Sequence, residues 1–193
     1  MLEDKLKDNT LIDAGHYSYL LGPTDLDLYL WEEGVKLYVH AKEEYENIGL
    51  MLLVDDMKGV RSNEQRRTFK IEELPESYSS ILERYGVDRL EVQVVSQDRM
   101  KEKGRQLLRE QGESRESFRR CELVVGTMVR HKEKQGYTNS INFYDETKTA
   151  GGIDLRRGTE VSQEIFGTVI ECHYLVFRDK ENYRYLHFPP QKD

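Results

Sequence analysis

The sequence lacks features that mark several common classes of protein. It contains two cysteines and four prolines in 193 residues, which argues against a disulfide-stapled domain and against a long proline-rich linker. It has no run of about 18 apolar residues, so no membrane-spanning helix is predicted. The first ten residues, MLEDKLKDNT, do not follow the basic, apolar and small-residue order of a signal peptide. We therefore expect a cytoplasmic protein without a membrane partner.

The usual signatures of catalysis are missing as well. There is no GxGxxG or GxxxxGK[ST] phosphate loop, no HExxH helix, no GxSxG elbow and no CxxC pair. Enzymes that depend on these motifs to hold a nucleotide, a zinc ion or a nucleophilic serine are therefore disfavoured. Neither a cofactor nor a metal site is predicted. The two cysteines, Cys121 and Cys172, lie within apolar runs and are interpreted as small buried hydrophobes.

An excess of positive charge is also lacking. The 36 acidic residues outnumber the 29 basic ones and give a formal net charge of −7. The mean field of such a protein repels nucleic acid and anionic membranes. Free nucleic acid is therefore a disfavoured partner, and the expected partner is another protein or a small anionic ligand.

What the chain does contain is a series of segments that resemble strands. Apolar residues alternate over residues 26–31 and again over residues 35–40, with the turn sequences GPTD and EEG before and between them, which predicts an antiparallel meander. Residues 48–54 are apolar on both faces, as in a buried central strand. Further strands are predicted at residues 90–94, 121–129, 137–144, 168–177 and 183–188.

Two helices are predicted between these strands. The first begins at Pro75 and places Tyr78, Ile81, Leu82 and Tyr85 on one face. The second begins after Ser96, a suitable N-cap, and ends at Gly112, which suits a left-handed stop. This second helix is very polar, and we interpret it as a bridge between two larger parts of the protein.

These patterns predict an α+β fold, predominantly antiparallel, with a meander sheet or a barrel and two helices. Residues 1–96 form a β-rich half with one packed helix, residues 97–112 the bridging helix, and residues 113–193 a second β-rich half, all within one domain. Residues 40–47 and 131–139 are weakly similar, at an offset of about ninety residues. This similarity leaves an internal duplication open, with chance as the alternative.

Glu171 and His173 are the predicted catalytic pair. They lie two residues apart in the longest predicted strand and therefore on one face. In the lumen of a barrel they could act as an acid/base pair. On the wet face of a one-sided sheet they would be ordinary solvent-facing residues.

The predicted ligand-binding residues are arginines and tyrosines. Guanidinium groups suit phosphates and carboxylates, and exposed tyrosines, of which the chain has an excess, are common in binding surfaces. The alternatives are solvated ion pairs for the arginines and simple cross-strand packing for the tyrosines. The residues concerned are Arg66, Arg67, Arg156, Arg157, Tyr183 and Tyr185.

Asp55 and Asp56 follow a buried strand and could meet a divalent cation together with Asp145 or Glu146 at the end of another strand. Such sites need three or more converging oxygens, and acidic residues are good turn formers, so the turn role is favoured.

The leading functional prediction is a non-catalytic binding protein that engages a partner protein or a small ligand through a sheet face rich in tyrosine and arginine. The alternative is an enzyme with an acid/base pair in a β-barrel cavity that acts on a small anionic substrate.

Overall fold

A computed structural model describes residues 2–18, 22–55, 70–114, 118–148 and 152–190. In this part of the chain, six strands form one sheet between two layers of helices. The elements, in chain order, are β1 (Thr10–Ser18), α1 (Asp25–Glu44), β2 (Gly49–Asp55), α2 (Glu76–Arg84), β3 (Val92–Ser96), α3 (Gln97–Glu110), α4 (Arg120–Lys134), β4 (Asn139–Asp145), α5 (Gly152–Phe166), β5 (Glu171–Phe177) and β6 (Tyr183–Phe188).

The sheet is mostly parallel, with the strand order β3-β2-β1-β4-β5-β6. Strand β1 lies at the centre and pairs in parallel with both β2 and β4, and only β6 runs antiparallel, against β5. The predicted antiparallel α+β fold with two helices is therefore wrong. The chain has an α/β fold with five α-helices in its described part, and its sheet is open, with β3 and β6 at the edges, rather than closed into a barrel.

The largest error concerns α1, whose residues were predicted as a two-stranded meander. Thr24 and Asp27 form a capping box in which the Asp27 amide donates to Thr24 Oγ1 at 3.1 Å and the Thr24 amide donates to Asp27 Oδ2 at 2.9 Å. The helix buries Trp31, Val35 and Tyr38 against the sheet at helical spacing. The alternating leucines of this segment therefore coexist with a second, helical period, and the helical period determines the structure.

Two further segments were assigned wrongly for related reasons. Residues 121–129, predicted as a strand, belong to α4, which is packed between α3, α5 and the sheet and is therefore apolar on most of its circumference. Strand β1 was not predicted before Tyr17, because Asp13, Gly15 and His16 interrupt its apolar pattern although the strand is almost wholly buried.

Several local predictions are confirmed. Strand β2 is buried on both faces, α2 ends before Gly86, and β5 and β6 pair as expected. Ser96 caps α3 by accepting a hydrogen bond from the Arg99 amide at 3.2 Å, and Gly112, with φ of 76°, follows the end of this helix. These boundaries depend on neighbouring residues alone, which is why the sequence reveals them.

The two halves predicted around α3 contribute to one continuous sheet, because β1 of the first half pairs with β4 of the second. The weakly similar segments, residues 40–47 and 131–139, occupy equivalent positions. Each leads from the end of a helix into a parallel strand beside β1. Their similarity accompanies a repeated helix-to-strand connection, and duplication of a longer unit stays a prediction.

The helices divide between the two faces of the sheet. Helices α1 and α2 cover one face and are joined by a hydrogen bond from Trp31 Nε1 to the Tyr78 carbonyl oxygen at 3.2 Å. Helices α3, α4 and α5 cover the other face. Helices α4 and α5 approach closely at two glycines, Gly126 and Gly158, and a Cβ atom at Gly158 would lie 2.5 Å from Val125 Cβ.

Candidate functional site

The topology points to the edge of the sheet where the parallel strands end. The strand order reverses between β1 and β4, so the connections that leave these strands diverge to opposite faces and leave a crevice beyond their carboxyl ends. A cleft of about 490 Å³ occupies this position. We call it the carboxyl-edge cleft, and its polar lining includes His16, Asp55, Gln97, Arg120, Asp145 and Lys148.

A bulge in β1 brings His16 into the carboxyl-edge cleft. The pairing of β1 with β2 shifts register between Asp13 and His16. Gly15, within this shift, has φ of 107°, a conformation that a residue with a Cβ atom rarely adopts. Because side chains alternate along a strand, the extra residue changes which face each following side chain takes.

His16 has the features of a general base. Its Nε2 atom lies 3.2 Å from Gln97 Oε1, and its Nδ1 atom is buried with no hydrogen-bond partner in the described part of the protein. Burial lowers the pKa of the imidazole, and the positive charge of Lys148 lowers it further. The neutral ring therefore donates from Nε2 to Gln97 and keeps an unshared electron pair on Nδ1.

Two carboxylates lie on either side of β1. Asp55 is the last residue of β2, is 3% exposed, and has no hydrogen-bond partner for Oδ1 among the described residues. Asp145 is the last residue of β4 and accepts hydrogen bonds at Oδ1 from the amide and the hydroxyl of Thr147. The parallel sheet thus brings Asp55 and Asp145 to the same cleft.

Glu146, also considered from the sequence, has a different partner. Glu146 lies 3.2 Å from Arg184 Nη2, in an ion pair with β6. Asp56 lies outside the described residues.

The cleft also carries positive charge. Lys148 Nζ donates to both carboxylate oxygens of Asp27 at 2.5 and 2.6 Å, and this bridge joins the segment after β4 to the first turn of α1. Arg120 Nη2 donates to Asp98 Oδ1 at 3.3 Å. Helix α4 begins at Arg120, so the positive end of its dipole also lies at this edge.

Cys121 lies at the rim of the cleft, and cysteine can act as a nucleophile, but the surroundings of this thiol do not activate it. Cys121 is exposed rather than buried as predicted, but partial burial of its thiol raises the pKa, and the charge of Asp154 raises it further. The thiolate, which is the reactive form, is therefore disfavoured at neutral pH.

The predicted catalytic pair is in contact, but at another place. Glu171 Oε1 lies 3.2 Å from His173 Nε2, on the face of β5 that α1 covers farther along the strand. Burial lowers the pKa of His173 to about 4, and a hydrogen bond from Lys7 is the main reason why the pKa of Glu171 falls to about 2. The pair lies near an edge of an open sheet, not in a barrel lumen.

A third residue, His187 of β6, belongs to this pair. It lies directly opposite His173 in the antiparallel pairing, and its Nε2 atom is 2.9 Å from Glu171 Oε1. Sequence reasoning missed His187. The available signal was its position in a predicted partner strand, two residues beyond Tyr185 and therefore on the same face.

The predicted tyrosines share a face, whereas the arginines lie elsewhere. Tyr183 and Tyr185 line a groove of about 560 Å³ between α1 and β6, together with Tyr29 and Phe177. The arginines at 156 and 157 belong to α5 on the opposite face of the sheet and pair with glutamates of the same helix. The arginines at 66 and 67 lie outside the described residues. The structure therefore brings no predicted arginine to the tyrosine face in its described part.

Fold and site together define a doubly wound α/β protein with a polar cleft at its topological switch point. No protein-family model, curated protein or solved structure matches the chain. None of the helices in the described part combines the length and the apolar composition that a membrane span requires.

Proposed function

We propose that the protein is an enzyme that hydrolyses a phosphate ester in the carboxyl-edge cleft with the help of a divalent cation. The observation that carries this proposal is the arrival of Asp55 and Asp145 in one cleft at the switch point, with a buried oxygen of Asp55 that has no hydrogen-bond partner among the described residues. A buried carboxylate oxygen without a partner is costly, and a cation would satisfy it.

Magnesium fits this arrangement better than an ion that needs a complete cage of protein ligands. Mg²⁺ usually keeps several waters and is held by one or two carboxylates together with oxygens of a substrate phosphate. Two carboxylates are therefore enough, and the third ligand that the sequence does not supply would come from the substrate. Arg120 and Lys148, at the rim of the same cleft, are suited to the remaining phosphate charge.

His16 would supply the base. In the proposed step, the oxygen of a water molecule forms a bond to phosphorus and the ester P–O bond breaks. The water proton passes to His16 Nδ1, and the leaving alcohol takes a proton from solvent. Gln97 holds the ring by accepting from Nε2–H, so Nδ1 is the atom that can accept the proton.

The test uses Asp55→Asn and His16→Gln with p-nitrophenyl phosphate and bis(p-nitrophenyl) phosphate as substrates. We expect Mg²⁺- or Mn²⁺-dependent release of nitrophenol by the wild-type protein. Asp55→Asn keeps the shape but removes the charge, and a loss of at least about 100-fold in kcat is expected, because cation stabilisation of the transition state is worth several kcal/mol. His16→Gln is expected to cost roughly 10²–10⁴-fold.

Glu43→Gln is the matched control. It removes one exposed carboxylate near the end of α1, at the opposite edge of the sheet, and is expected to leave the rate unchanged. The proposal fails if neither ester is hydrolysed and calorimetry detects no Mg²⁺ or Mn²⁺ binding. It also fails if Asp55→Asn and Glu43→Gln have equal activity.

A binding role for the tyrosine face is the second candidate, and the groove beside Tyr183 and Tyr185 favours it. The groove is mostly apolar, and its rim carries Lys5 beside Lys36, which pairs with Glu33 at 2.8 Å, so it suits a small ligand that is largely apolar. Native mass spectrometry tests this role. Extra mass that disappears on denaturation and is absent from Tyr183→Ala would support it, and a bare mass for the wild-type protein would count against it.

The cytoplasm is the proposed compartment. Neither Cys121, which is exposed, nor Cys172, which is buried, forms a disulfide, and unpaired cysteines are typical of proteins in reducing compartments.

A further inference from the structure

The cluster of Glu171, His173 and His187 has no role in the proposed hydrolysis. It lies on the β5–β6 pair. Within the described part of the chain, it is the group of at least three potential metal ligands (His, Cys, Asp or Glu) whose ligand atoms all lie within 4.8 Å of one another. Its residues converge because of the sheet: His173 and His187 are opposite each other across β5 and β6, and Glu171 precedes His173 by two residues.

We propose that this cluster is a zinc site with two imidazole ligands, one carboxylate ligand and one position open to solvent. Tetrahedral zinc has ligands at about 2.0–2.2 Å, which places neighbouring ligand atoms roughly 3.3 Å apart. Glu171 Oε1 lies 3.2 Å from His173 Nε2 and 2.9 Å from His187 Nε2. Two of the three distances between the protein ligand atoms are therefore close to the required length.

The third distance, between the Nε2 atoms of His173 and His187, requires one imidazole ring to rotate. The imidazole rings of His173 and His187 are stacked, with centroids 4.6 Å apart and planes at 5°. An ion that accepts electron pairs from both rings must lie near both ring planes, so two parallel rings cannot bind it without rotation. His187 is exposed and can rotate, whereas His173 is buried and fixed.

The surroundings of His173 resemble those of a metal-bound histidine. Its Nδ1 atom lies 2.5 Å from the hydroxyl oxygen of Tyr185, a contact that holds the ring and leaves Nε2 as the nitrogen nearer to Glu171. Partners of this kind orient metal-bound histidines and make them better ligands. Without metal, Glu171 Oε1 accepts the Nε2–H group of His187. With metal, both rings would bind through Nε2, and His173 Nδ1–H would donate to Tyr185.

Two ammonium groups oppose a cation at this place. Lys7 donates to Glu171 Oε2, and Lys5 lies over the ring of Tyr185 at 5.9 Å from its centroid. Lys7 binds the carboxylate oxygen that the proposed zinc does not use, so both contacts can coexist. Because like charges repel, Lys7→Met is expected to bind zinc more tightly than the wild-type protein.

The nature of the ligands selects the ion. Imidazole nitrogen suits zinc, cobalt and nickel, whereas magnesium prefers oxygen ligands alone. The cluster and the carboxyl-edge cleft therefore differ in metal preference, and each can be tested separately.

The experiment is calorimetric titration of the full chain with Zn²⁺, together with the visible absorption spectrum of the Co²⁺-loaded protein. We expect one zinc ion per chain and a cobalt spectrum of tetrahedral intensity. His187→Gln should weaken zinc binding by at least about 100-fold, because loss of an outer partner alone costs roughly 10–100-fold. Tyr185→Phe, which removes only the hydroxyl next to His173, should weaken it by about 10-fold.

His131→Gln is the control, since His131 lies on α4 at the other face of the sheet. Circular dichroism checks the fold of each variant, and the exposed position of His187 makes its replacement mild. The proposal is overturned if the wild-type protein binds no zinc, or if His187→Gln and His131→Gln bind it equally well. Asp55→Asn should retain zinc binding, so failure of the hydrolase proposal would not affect this result.

Discussion

Replacement of Lys132 by methionine is expected to lower the free energy of unfolding by about 3–5 kcal/mol. Lys132, on α4, is 2% exposed. Its Nζ atom donates to Asp13 Oδ2 at 3.0 Å, to Ser140 Oγ at 3.0 Å and to the side-chain oxygen of Asn142. Methionine fills a similar volume but leaves the carboxylate of Asp13 buried without a cation. Urea denaturation at neutral pH measures the loss.

The pH dependence of this loss identifies its cause. Burial raises the pKa of Asp13 above its ordinary value, and Lys132 opposes that rise. Without Lys132 the pKa of Asp13 is expected to rise further. An acid with a raised pKa in the folded protein destabilises it at high pH and does so less as the pH falls, so Lys132→Met should cost less at pH 5 than at pH 8.

Two companion variants make this prediction specific. Lys134→Met, at an exposed position of the same helix, should change stability by less than about 0.5 kcal/mol. The double variant Lys132→Met with Asp13→Leu removes both charges and should recover much of the loss, since buried ion pairs can often be replaced by apolar residues. A cost for Lys132→Met no greater than that for Lys134→Met would mean that the buried ion pair does not form.

Gly158→Ala is expected to destabilise the protein by about 1–3 kcal/mol, although the same change in an exposed helix stabilises it by about 1 kcal/mol. The new methyl group would lie 2.5 Å from Val125 Cβ and 3.0 Å from the Glu122 carbonyl oxygen. Both atoms are fixed to the backbone of α4, so α4 and α5 would have to separate. Thermal or urea denaturation measures the change.

Gly104→Ala provides the comparison. A Cβ atom at this position in α3 would meet the Thr127 hydroxyl and the end of the Leu123 side chain, at 2.3 and 2.8 Å. These are side-chain atoms that can move by rotation, at the expense of the hydrogen bond from Thr127 Oγ1 to the Leu123 carbonyl oxygen at 2.7 Å, so Gly104→Ala should cost less than Gly158→Ala. The reverse order would show that the close approach of α4 and α5 is not rigid.

The same glycines explain part of what the sequence could not predict. Gly34, Gly126 and Gly158 lie inside helices, where glycine is intrinsically unfavourable. In the sequence, Gly34 belonged to a predicted turn and Gly126 lay in a predicted strand. Their actual role is close packing of a helix against a strand or another helix, which depends on a partner distant in sequence. By contrast, the caps at Ser96 and Gly112 depend on their neighbours alone and were predicted.

The residues of the candidate sites were also hard to predict, because they come together through contacts between strands that are distant in sequence. Asp55 and Asp145 were considered together because each follows a strand, but whether two strand ends meet depends on the direction of pairing. In an antiparallel arrangement they can lie at opposite edges, and only the parallel order beside β1 unites them. Contact between Glu171 and His173 follows from spacing within one strand and was foreseen, whereas the contribution of His187 depends on the register of β6.

Because β6 runs antiparallel to β5, His187, near the end of β6, lies beside the start of β5. This position determines how far the proposed zinc site lies from the carboxyl-edge cleft. Glu171 begins β5 and is level with Asn139, whereas Asp145 ends β4 and is level with Phe177, so six residue steps of about 3.3 Å separate the two levels. The proposed zinc and magnesium sites therefore lie at opposite ends of the sheet, roughly 20 Å apart. At that distance, with no shared ligand, their binding free energies should add. Zinc loading and phosphate-ester hydrolysis would then vary as two independent properties of one chain.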